Sequence, residues 1–97
     1  MAFVAVEYVY DPALAEEMAQ VRPAHREFLA SLFEQGKLVA SGPFTEADAP
    51  GALILLAVED VAAGLELLEA DPFFQANLIA GRSARAWNPV IGEFAGR

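Results

Sequence analysis

The sequence contains no cysteine and a single histidine, and its 14 acids outnumber its six bases. Without cysteine there are no disulfides, no thiolate nucleophile and no cysteine-ligated zinc or iron–sulfur centre. One histidine without clustered acids on its own face offers too few ligands for a metal, so none is expected, and no cofactor is implied by the functional reading reached below. A net charge of −8 repels phosphate backbones and anionic bilayers, which argues against nucleic-acid and membrane partners. The longest uncharged apolar run, Gly51 to Val58, is far too short to span a membrane. The opening MAFVAVEYVY lacks a basic n-region and carries Glu7 within its apolar run, so it reads as a strand and not a signal peptide. The expected location is the cytoplasm.

Hydrophobic residues make up 56% of the chain, enough to drive a compact core. At 97 residues there is room for one domain, residues 1–97, and little more. So apolar a small domain is also expected to bury surface against a second copy of itself.

Phe3 to Tyr10 is rich in β-branched and aromatic residues and predicts the first strand. Asp11-Pro12 supplies an N-cap acceptor followed by a proline at the first helical position. The helical pattern then runs to Gln35 and stops at Gly36, with a kink or restart expected between Gln20 and Pro23. Lys37 to Ser41 predicts a short strand broken by Gly42-Pro43, and Thr45 to Pro50 a polar loop. Gly51 to Val58 predicts a central strand covered on both faces. Asp60 caps a second helix, Val61 to Ala70, with Val61, Leu65 and Leu68 inward. DPFFQAN starts an extra turn, and Ser83 to Trp87 is the last strand.

The order βαββαβ is most simply folded as a four-stranded antiparallel sheet with both helices on one face, the α+β ferredoxin-like arrangement. The other face of that sheet has no helical cover and is expected to pair with another copy.

The first helix places Leu14, Met18, Val21, Phe28, Leu29, Leu32 and Phe33 on one stripe, and His25 fills the gap in it. The lone histidine therefore points at the core. Its plainest role is a neutral imidazole satisfied by a backbone carbonyl. In EADPFF (69–74), Asp71 has an equally plain role as a helix cap, since Asp11-Pro12 repeats the dipeptide at another helix start. The topology adds a further role. Antiparallel helices bring the end of the second beside the earlier half of the first, and hence Asp71 towards His25. A carboxylate beside an imidazole fixes its tautomer, orients the ring and strengthens it as a base. Capping and pairing are compatible, because a carboxylate has two oxygens.

RPAHREFL (22–29), GKLVASGP (36–43), the glycine-led strand from Gly51, and ADPF (70–73) with a tryptophan in the last strand together resemble the YCII-related (YciI-like) proteins. The resemblance covers Phe3 to about Pro89. It implies a ferredoxin-like fold of the dimeric α/β-barrel superfamily, in which two sheets pack face to face. It also implies a pocket in which a histidine and an aspartate are proposed as catalytic, falling here on His25 and Asp71. Where activity is assigned in the family, it is lyase-type elimination, such as loss of HCl from a substituted ring. Asn77 stands where relatives commonly carry glycine, and a tail, Ile91 to Arg97, follows the matched region.

The resemblance also sets Ser41, Gly42 and Pro43 close to that pocket. No G-x-S-x-G elbow surrounds Ser41, so it reads as a polar pocket or turn residue and not a nucleophile. Arg22 and Arg26 flank His25 and are assigned to other faces of the helix, either paired with surface acids or anchoring a substrate anion. Phe73, Phe74 and Trp87 are candidate walls for a ring, or core residues. The resulting expectation is a small dimeric enzyme or enzyme-like protein acting on a small, cyclic molecule. His25 and Asp71 would be catalytic, with Ser41, Gly42, Pro43, Phe73 and Arg22 binding substrate. The alternatives are a non-catalytic binding or accessory protein and a purely structural dimer.

Overall fold

A computed structural model describes residues 2–96 of the chain. Strand β1 (Ala2–Tyr10) leads through a 3-10 turn, Pro12–Leu14, into α1 (Ala15–Glu34). Strands β2 (Leu38–Pro43) and β3 (Gly51–Val58) follow. Then come α2 (Val61–Leu67), extended by a 3-10 turn at Leu68–Ala70, the one-turn helix α3 (Pro72–Gln75), and β4 (Ile79–Trp87). The strands form one antiparallel sheet in the order β2-β3-β1-β4. The long helices cover one face of it, as the ferredoxin-like expectation requires.

Side-chain alternation explains the layering. Val4, Val6 and Tyr8 of β1 are fully buried, and opposite them lie Leu56, Ile54 and Ala52 of β3. These residues meet Leu29 and Leu32 of α1 and Leu68 after α2 in the main core. Gly64 lets α2 approach closely: a Cβ there would lie 3.3 Å from Leu56 and 3.4 Å from Val4. Val61, Leu67 and Leu68 pack into the main core beside Gly64, and Leu65, expected inward, does not join that cluster. A second core cluster of Met18, Phe73 and Leu78 sits under the start of α1.

Several boundaries differ from the sequence expectation. The helix runs unbroken through Pro23. Pro23 is exposed, so the carbonyl it leaves without an N–H partner can be hydrated. Strand β2 continues through Gly42 and Pro43. It is an edge strand, where a proline removes no ladder bond when its nitrogen faces away from the sheet. Strand β4 begins at Ile79, four residues early, and its pairing with β1 shifts register between Val9 and Tyr10. Asn77, at φ 57°, holds the left-handed turn ahead of β4. Asparagine is one of the few residues besides glycine that suit that conformation.

The uncovered face of the sheet carries Phe3, Leu53, Val9 and Trp87, the last three between 44% and 48% exposed. Phe3 is itself buried, against Trp87 and Phe94 of the tail.

Candidate functional site

Asp71 follows the 3-10 turn and caps α3. Its side chain accepts three hydrogen bonds. Oδ1 receives the Phe73 backbone N–H at 3.0 Å, and Oδ2 receives the Tyr8 hydroxyl at 2.9 Å. His25 Nδ1 lies 2.8 Å from Oδ1. Cap and partner are thus one residue, with one oxygen serving both roles. Asp71 is fully buried and His25 is 7% exposed. Among the described residues, no buried side-chain nitrogen or oxygen lacks a hydrogen-bond partner.

The tautomer follows from this arrangement. The Phe73 N–H and the Tyr8 hydroxyl both donate, which commits the carboxylate to accepting. The His25 bond must then come from an Nδ1–H, and Nε2 is left as the basic nitrogen. The imidazole stacks on Phe73, with ring centroids 3.9 Å apart and planes 11° apart. Phe73 in turn meets Tyr10 edge-on at 5.8 Å. Packing and hydrogen bonding together hold the ring in one orientation.

Tyr8 and Tyr10 are perturbed by this environment. Burial, reinforced by the adjacent Asp71 carboxylate that its hydroxyl bonds, holds the Tyr8 phenol far above its ordinary range. Burial first and Asp71 second push Tyr10 up to about 12, with Arg22 acting in the opposite direction. Both phenols are neutral donors at physiological pH. Neither tyrosine is among the site residues expected from the sequence. The period-2 pattern of β1 contains the clue: it places Tyr8 on the inner face, where its hydroxyl is the one polar group among valines.

His25 and Phe73 open onto a cleft of about 790 Å³ between α1, β2 and the loop after β2. That is within the range of small-molecule sites. Arg22, Ser41, Gly42 and Pro43 line the same cleft. Asp71 supports His25 from behind and does not line it.

Arg22 and Arg26, expected on other faces, both line the cleft with His25. At 100° per residue, positions 22, 25 and 26 fall within about 100° of one helix side. Phe33, expected in the core, is instead 61% exposed and joins Phe44 at the cleft. Phe74 and Trp87 lie elsewhere. Phe74 sits under the Arg82 guanidinium at 4.3 Å, and Trp87 lies on the uncovered sheet face. Among the described residues, no cluster of three or more His, Asp or Glu suits a metal, and no helix is long and apolar enough to cross a membrane.

The fold class is that of ferredoxin-like α+β proteins of the YciI-like type. Residues 1–88 match the YCII-related domain, and the chain belongs to that family. One similar solved structure is 5-chloro-2-hydroxyhydroquinone dehydrochlorinase (TftG) from Burkholderia phenoliruptrix AC1100, in complex with 2,5-dihydroxybenzoquinone. It has 22% identity and a TM-score of 0.77, over 89% of this chain and 93% of that one. An uncharacterized NIPSNAP domain protein from Burkholderia xenovorans matches at 17% identity and a TM-score of 0.58, over 100% of both chains. An antibiotic biosynthesis monooxygenase matches at 16% identity and 0.54, over 94% of this chain and 100% of that one. No curated protein matches the sequence significantly.

Proposed function

We propose that the chain is a cofactor-independent enzyme that performs acid–base chemistry, of the elimination type, on a small hydroxylated ring. One observation carries the reading: the single histidine of the chain is held by a fully buried carboxylate at 2.8 Å and opens onto a cleft of ligand size. Asp71 fixes the Nδ1–H tautomer and stabilises the imidazolium that forms when Nε2 takes a proton. His25 is the general base and acid, and Asp71 its orienting partner. Phe73 supports the ring from below, while Ser41, Gly42, Pro43 and Arg22 shape the substrate side.

A dehydrochlorination suits this device. Nε2 removes a ring-hydroxyl proton, the electron pair moves into the ring, and the imidazolium returns a proton to the halogen-bearing carbon. Loss of a second hydroxyl proton then breaks the carbon–chlorine bond, with both electrons leaving on chloride. The net change is loss of HCl, with no external oxidant or reductant.

The assembly proposed with it is a homodimer through the uncovered sheet face, where Val9, Leu53 and Trp87 present apolar surface.

The test is chloride release from 5-chloro-2-hydroxyhydroquinone by the purified chain. Turnover that falls by about 10²–10⁴-fold in His25→Gln supports the proposal. Saturable binding without chloride release in the wild type contradicts the elimination and leaves a binding protein.

A further inference from the structure

Among six bases in a chain of net charge −8, two arginines line the cleft together with a single acid, Glu46. The cleft is thus a positive island in an acidic molecule. Arg82 shows what a structural arginine looks like here: it donates to the Leu65 carbonyl at 3.1 Å, approaches Glu69 at 3.6 Å and covers Phe74. Arg22 and Arg26 have no such partners. The ion pairs among the described residues are His25–Asp71 and Arg82–Glu69, and neither involves a cleft arginine.

The two guanidiniums lie one helical turn apart, about 40° around α1, on the side that also carries His25. Tyr10 also lines the cleft, and its hydroxyl has no hydrogen-bond partner among the described residues. Pushed up to about 12, the phenol stays protonated and can donate. Two cations and a neutral donor thus line the same cleft as the proposed base. Leaving two guanidiniums unpaired in a protein with eight excess acids is the arrangement of a site that waits for an anion.

We propose that Arg22, Arg26 and the Tyr10 hydroxyl form a subsite for one carboxylate on the ring substrate. The subsite rests on the proposed function in one respect: it orients the reactive edge of the ring towards His25 Nε2. With histidine neutral, the two arginines and Glu46 give the cleft a charge of +1, which matches a monoanion. Phe33 and Phe44, the exposed aromatic residues of the cleft, flank the ring that the carboxylate anchors.

The probes are 2,5-dihydroxybenzoate and hydroquinone, which share ring hydroxyls and differ by the carboxylate. Each is titrated calorimetrically into the full chain, into Arg22→Gln, Arg26→Gln and the double variant, and into His25→Gln. Dihydroxybenzoate is expected to bind the wild type on the order of tenfold tighter or more than hydroquinone, and to lose about tenfold with each arginine. Hydroquinone, which lacks the anion, is expected to lose clearly less than dihydroxybenzoate in each arginine variant. Arg22→Lys and Arg26→Lys, which keep the charge, should retain part of the preference. Equal affinities in the wild type, absence of dihydroxybenzoate binding, or a preference that survives in the double variant each overturn the subsite. His25→Gln separates the two proposals. A carboxylate preference that persists there, with no turnover in the wild type, sinks the acid–base reading and leaves the subsite standing.

Discussion

Oδ1 of Asp71 is shared between the Phe73 backbone N–H at the start of α3 and His25 Nδ1 on α1, while Oδ2 takes the Tyr8 hydroxyl from β1. One carboxylate therefore ties three elements together: the central strand, the long helix and the turn after α2. The group that orients the histidine is also a structural knot. Substitutions at this point report on both roles, and each must be read with a stability measurement beside it.

Tyr8→Phe removes one donor from a fully buried carboxylate. It is expected to destabilise the fold by about 1–3 kcal/mol, because Oδ2 loses a partner that water cannot replace there. Chemical denaturation measures this. A variant as stable as the wild type would mean that the Tyr8 bond contributes nothing net.

Stability should fall with alkalinity. Tyr8 and Tyr10 both titrate above their ordinary value of 10.0 when folded. The unfolded chain therefore releases these protons first as pH rises, which pulls the equilibrium towards it. The contribution is intact below pH 10 and declines from 10 to about 12 for Tyr10, and beyond that for Tyr8. Melting temperatures across this window should drop, and Tyr8→Phe should flatten part of the drop. A wild-type profile level to pH 12 would contradict the burial of these phenols.

Gly51 opens β3 directly against the Tyr8 backbone, and a Cβ there would collide with the Tyr8 carbonyl oxygen. Backbone cannot yield as a flexible side chain does. Gly51→Ala is expected to cost more than about 1 kcal/mol and to shift the Tyr8 and His25 resonances together. A neutral effect on both would show that the strand can slide to make room.

The uncovered sheet face predicts a dimer. Sedimentation at micromolar concentration should show two copies, and Leu53→Glu should shift the population towards monomer by placing a charge within the apolar face. A stable wild-type monomer at that concentration would remove the proposed assembly.

The frame of the molecule is readable from the chain because its signals are periodic. The β1 alternation, the caps at Asp11, Asp60 and Asp71, and, apart from Phe33, the 3.6-residue stripe of α1 reappear in the structure. The boundaries that moved lie where local signals mislead. Pro43 ends a strand only if its nitrogen has to bond a neighbour, and edge position removes that need. The start of β4 was hidden by Gly81 and by the register shift opposite Val9 and Tyr10. The His25–Asp71 approach follows from topology, whereas Tyr8 as third member of the knot depends on a hydroxyl 63 residues away in sequence. Arg22 and Arg26 reach the cleft although they flank His25 in sequence, because a helix side about 100° wide holds all three.

The His25–Asp71 pairing can be read from the single histidine of the chain, whose ring nitrogens are observed by long-range ¹H–¹⁵N correlation without assignment ambiguity. Neutral His25 is expected to be the Nδ1–H tautomer, with Nε2 unprotonated, and Asp71→Asn to redistribute the tautomers in a folded protein. An Nε2–H tautomer in the wild type, or an unchanged tautomer in folded Asp71→Asn, would contradict that pairing and leave Asp71 as the cap of α3.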